Sequence, residues 1–146
     1  MIAQTIQLAL APVFVLVAIG NIMNILSNRL ARVVDRSRHL QVRHGQTEGI
    51  EHDMLVREIR LLDGRIHMIG RAILFLVCSA LTIGVTVALL FLEEILQVDI
   101  QLVAAGFFFI AIALLMSALL LFLREIRLAT SNLRIPESYL ELERKI

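Results

Sequence analysis

The sequence predicts an all-α membrane protein with three transmembrane helices, the first two extended into a long cytoplasmic antiparallel helical hairpin. Three observations lead there. Residues 1–28, 72–92 and 100–123 carry no charge at all, in stretches of 28, 21 and 24 residues. About 20 apolar helical residues cross a bilayer core of ~30 Å. The chain is 58% apolar with a mean hydropathy of +0.82, well above an ordinary soluble domain. All 14 Lys and Arg fall in two blocks, nine in 29–71 and five in 124–145. A chain of 146 residues has no second layer with which to cover three helices that are apolar all round.

The expected spans are about 5–27, 71–92 and 101–123. They lie in one membrane domain, 1–134, followed by a short tail, 135–146. The first span has no Lys or Arg ahead of its apolar run and is longer than a secretory signal core, so it reads as a retained span. Basic residues near span ends stay on the cytoplasmic side. The expected topology is therefore N-terminus outside, residues 28–70 inside, the acidic loop EEILQVDI (93–100) outside, and the C-terminus inside.

Residues 28–70 read as a hairpin. Met23, Leu26, Leu30, Val33, Ser37 and Leu40 follow alternating three-and-four spacing, one apolar seam broken by Ser37. Leu55, Ile59, Leu62, Ile66, Ile69, Ile73 and Leu76 repeat that spacing on the way into the second span. HGQTEG (44–49), with two glycines, is the expected turn. Pairs such as Asp35 with Arg60 or Arg57 would fix the hairpin register. After Leu123 the third helix is expected to continue through REIRLATSNL until Pro136 ends it. PESYLELERKI is a candidate for a short amphipathic helix.

The pattern NILSNRLARVVDRSR after an N-terminal apolar run, followed by REIRLLDGRIHMI and two more apolar segments, resembles a family of small bacterial three-span membrane proteins. That family is catalogued only as a domain of unknown function. Asn28, Arg29, Leu30, Asp35, Arg36 and the stretch 57–65 carry most of the likeness, which covers most of residues 5–130. The resemblance implies a location in the bacterial inner (cytoplasmic) membrane. It brings no activity, so no catalytic residue is carried over.

Candidate functional residues come from GNIMNILSNRLARVVDR (20–36). At 100° per residue, Asn21, Asn24, Asn28 and Asp35 share one face of the first helix, with Arg32 close by and Ser27 toward its margin. Ile25 interrupts this polar face. Asn21 lies well inside the first span, where an amide turned to lipid without a partner costs several kcal/mol. Two roles are open. The stripe Asn21, Asn24, Ser27, Asn28 can pack against a neighbouring helix, where an amide contributes ~0.6–2 kcal/mol, or it can line an ion or small-solute path in a homo-oligomer. No ionisable group lies deep in any span, which argues against a proton relay.

Ser79, Thr82 and Thr86 share a side of the second span. They are expected to bond the carbonyls of their own helix, or else to meet Asn21 across an interface or line the same path. Glu93, Glu94 and Asp99 are a candidate outer acidic ring, with Asp99 also a candidate cap for the third helix. Arg29, Arg32, Asp35, Arg36, Arg65, Arg71, Arg124 and Arg127 are candidates for lipid-headgroup contact or hairpin register. Anionic headgroups attract the arginines among them at ~1 kcal/mol each; ordinary positive-inside anchoring with no specific ligand is the plainer account of them. The expected partners are thus the bilayer, anionic lipids and further copies of the chain. A non-conducting scaffold, binding lipid headgroups or another protein through the arginine-rich stem, is the alternative to a channel. No nucleophile–base pair, phosphate loop or zinc signature is present in the sequence. Neither enzymatic activity, a metal nor a cofactor is expected. Cytoplasmic acids nearly balance the bases, so no nucleic-acid partner is expected either.

Overall fold

The computed structural model describes residues 2–131 and consists of three helices: α1 (Ile2–His44), α2 (Ile50–Leu96) and α3 (Gln101–Ser131). The expected amphipathic helix over PESYLELERKI lies outside the described residues. At 1.5 Å per residue, α1 and α2 are each roughly 65–70 Å long and α3 roughly 45 Å. All three are long and apolar enough to cross a membrane. In their most apolar windows only 17%, 22% and 11% of residues are buried within the molecule. Most of this apolar surface is therefore left for lipid or another chain, as at Phe14, Leu102 and Phe109 (70%, 87% and 74% exposed).

α2 is the centre of the molecule. It packs along both α1 and α3, whereas α1 and α3 scarcely touch. The buried side chains repeat every seven residues, the period that keeps helices in contact as they wind left-handedly round each other. On α1 these are Ile19, Leu26, Val33 and Leu40; on α2 they are Leu55, Leu62, Ile69, Leu76 and Ile83. The α1–α2 seam thus follows the expected spacing, with Met23, Leu30, Ile59, Ile66 and Ile73 half-buried along it. Ser37 stays in the seam and is satisfied by Gln41 Nε2, which donates to Ser37 Oγ at 3.2 Å.

α3 uses smaller side chains. Ala104, Ala111 and Ala118 are all at most 2% exposed, and alanine permits close helix approach. At their centre Ser79 Oγ donates to the Ala111 carbonyl at 2.7 Å. This corrects the expectation of bonding within α2: Ser79 is fully buried and its hydroxyl donates to a carbonyl of α3. Thr82 and Thr86 do donate within their own helix, to the Cys78 and Thr82 carbonyls at 2.8 and 3.0 Å.

The α1–α2 turn falls where expected. Gly49 has φ +68°, a conformation that glycine adopts at no steric cost, and it opens α2 while the Gly49 carbonyl accepts Asp53 N. Register is held by different pairs from those expected. Arg36 Nε and Nη2 reach Glu58 Oε1 at 3.0 and 2.9 Å, and Arg43 Nη2 reaches Glu51 Oε1 at 3.0 Å. Asp35 is exposed and makes no ion pair with Arg57 or Arg60 among the described residues. At the other end α2 runs through Leu96, so Glu93 and Glu94 lie on its last turns and not in a loop.

Candidate functional site

Where the charge-free stretches end, the three helices are tied together by one carboxylate. The seven-residue series Ala104, Ala111, Ala118 on α3 continues to Glu125, which is 0% exposed. Two arginines from the other helices enclose it. Arg65 of α2 donates from Nε and Nη2 to Oε1, at 3.1 and 2.7 Å. Arg29 of α1 places Nη2 2.8 Å from Oε2.

The two approaches differ in quality. Arg65 makes aligned, charge-assisted bonds, whereas Arg29 makes an ion-pair contact without hydrogen-bond alignment. Oε2 accordingly has no aligned donor, and Arg29 Nε is buried without an acceptor. Arg29 also lies over the Phe122 ring, 5.4 Å from its centroid, a cation–π distance. Beside this knot is a cleft of about 270 Å³ lined by Arg29, Arg32, Val33, Arg65 and Ala129.

The sequence pattern alone does not single out Glu125. Flanked by Arg124 and Arg127, it resembles one charge in a solvated helical turn. The signal was its seven-residue register with the alanines.

The amide stripe lies elsewhere. Asn21, Asn24, Ser27 and Asn28 are all exposed, on a side of α1 turned from α2 and α3. Asn28 Nδ2 donates to Asn24 Oδ1 at 3.3 Å. Ile25, 52% exposed, stands among them. Neither Ser79 nor Thr86 meets Asn21, since both are engaged elsewhere.

At the opposite end Glu93, Glu94 and Asp99 line one side of a shallow cleft of about 240 Å³ with Gln97 and Val98. Thr5 Oγ1 donates to Glu94 Oε2 at 3.3 Å, joining α1 to the end of α2. Asp99 Oδ1 accepts Gln101 N at 3.4 Å at the start of α3. Arg32, Arg71, Arg124 and Arg127 are exposed and make no ion pair among the described residues, whereas Arg29, Arg36 and Arg65 do. Among the described residues no three His, Cys, Asp or Glu side chains converge as metal ligands.

The arrangement defines a small all-α protein with three candidate membrane spans, locked by a buried carboxylate between two arginines. The chain belongs to the DUF2721 family, proteins of unknown function, whose sequence pattern matches residues 9–135. No curated protein and no solved structure matches it.

Proposed function

We propose that the protein is a multi-pass inner-membrane protein whose copies assemble around the amide-bearing face of α1, and that this face lines a path for ions or small solutes. The observation that carries the reading is the exposure of Asn21, Asn24 and Asn28 on α1. The first two stand in or beside an apolar segment where uncovered amides are costly. The chain's own α2 packs on the other side of α1, and α3 scarcely touches α1, which leaves a second copy as the natural cover. Amide side chains both donate and accept, so the stripe is complementary to itself, as a symmetric assembly requires.

In such an assembly the amides supply hydrogen-bonding groups without fixed charge, and Ile25 forms the narrow apolar ring between them. The hairpin of α1 and α2 lies in the cytoplasm, on the side of the basic residues, with the N-terminus outside. Glu93, Glu94 and Asp99 stand at the outer mouth, where carboxylates attract cations.

Flux from liposomes tests the reading. Vesicles carrying the protein should pass small monovalent ions faster than empty ones, and Asn21→Leu with Asn24→Leu should bring the rate toward the empty-vesicle value. Flux unchanged in that double variant, or no flux above empty vesicles, would overturn the path.

A further inference from the structure

The cleft beside Glu125 holds more positive charge than its carboxylate needs. Arg29, Arg32 and Arg65 line it, against the one negative charge of Glu125. Arg65 alone supplies Oε1 with two bonds. Arg29 keeps a buried Nε with no acceptor and a side chain that is 26% exposed. Arg32 has no acidic partner among the described residues. Three arginines and one carboxylate sum to two uncompensated positive charges, and the planar guanidinium fork matches a phosphate oxygen pair.

We infer that this cleft binds a phosphate group, with Glu125 acting as the internal anion that holds two of the arginines in place for it. Arg29 is the first charged residue after the apolar run of α1, and Glu125 lies two residues past that of α3. Both apolar runs would put the cleft at headgroup depth, so an anionic phospholipid reaches it laterally, while free phosphate reaches it from water. Arg29, Arg32, Arg65 and Glu125 all belong to one chain, so the site needs no residue from a second copy.

Native mass spectrometry of the full chain, taken from nanodiscs of phosphatidylcholine mixed equally with phosphatidylglycerol, tests it. The protein should keep phosphatidylglycerol in preference to phosphatidylcholine. Arg32→Gln should lower the retained fraction about fivefold, the effect of one basic residue at a headgroup, with Arg124→Gln, the same charge loss outside the cleft, close to wild type. Arg29→Lys, which keeps the charge but removes the fork, should also lose lipid while its thermal unfolding stays near wild type.

Added inorganic phosphate separates the two sources. Displacement of the retained lipid, or Arg32-dependent broadening of the phosphate 31P signal, makes free phosphate a ligand of the same site; retention of lipid makes the headgroup the ligand. Equal retention of the two lipids without phosphate binding, or equal losses in Arg32→Gln and Arg124→Gln, would overturn the site.

Discussion

Glu125 and the amide stripe are two polar features that the chain treats in opposite ways. Glu125 carries a full charge and is enclosed, with arginines from both other helices drawn onto it. Asn21, Asn24 and Asn28 carry none and are left on the outside of α1. The contrast follows from magnitude. An unpaired buried carboxylate costs so much that its partners must be built into the same chain. An amide at a helix interface is worth only ~0.6–2 kcal/mol, small enough for a later association step to supply its partner. The covered group reports how one chain holds together; the uncovered group is where the proposed assembly would form.

The largest way to break that contrast is at Glu125. Glu125→Leu leaves Arg29 and Arg65 facing each other without a counter-charge, and breaking a buried pair this way costs about 3–5 kcal/mol. Thermal unfolding in detergent should show it, and replacing all three residues by apolar ones should recover most of the loss. Wild-type stability in the single variant would mean that the carboxylate does not organise the three helices.

Next comes the alanine stripe that leads to it. Ala111→Leu puts a large side chain into the α2–α3 contact, where Ala111 is 0% exposed, and overpacking of this kind costs about 1–3 kcal/mol. Ala113→Leu, on the exposed side of α3, should unfold like wild type.

The amides should behave in the reverse manner. Asn21→Leu with Asn24→Leu should leave unfolding of the single chain unchanged while weakening self-association by about 0.6–2 kcal/mol per amide, read by analytical ultracentrifugation in detergent. Smallest of all is Arg36→Gln. Arg36 and Glu58 are 53% and 44% exposed, and an exposed pair contributes about 0–1 kcal/mol, so a shift beyond that range would mean that the hairpin register depends on this one contact.

Much of the fold is legible in the residues because it rests on one-dimensional signals. Charge-free lengths locate the apolar segments, and three-and-four spacing locates the seam of Leu26, Val33, Leu40, Leu55, Leu62 and Ile69. Features that depend on how two helices are rotated against each other are harder to read. Asp35 and Arg36 are neighbours beside the same seam, but the rotation of α1 brings Arg36, not Asp35, onto α2, so the ion pair runs from Arg36 to Glu58. Ser79 is similar: nothing local distinguishes it from Thr82, but it points at the Ala111 carbonyl.

Glu125 is the instructive omission. Its neighbours Arg124 and Arg127 mark it as surface, and only its register with Ala104, Ala111 and Ala118 places it on the buried side. The amide stripe is legible as a face, since a helical wheel is also one-dimensional; it is exposed in the folded chain, and its cover is the subject of the assembly proposed above.

Disulfide cross-linking in native membranes tests that central claim most directly. In a Cys78→Ala background, which removes the chain's single cysteine, oxidation of the Asn21→Cys and Asn24→Cys variants should give a covalent dimer rapidly. Leu74→Cys, on an α2 surface that is 59% exposed, should give little. Efficient cross-linking at 21 or 24 but not at 74 is the predicted result. No dimer at either amide position, or dimers equally abundant at Leu74→Cys, would contradict the assembly of copies around α1.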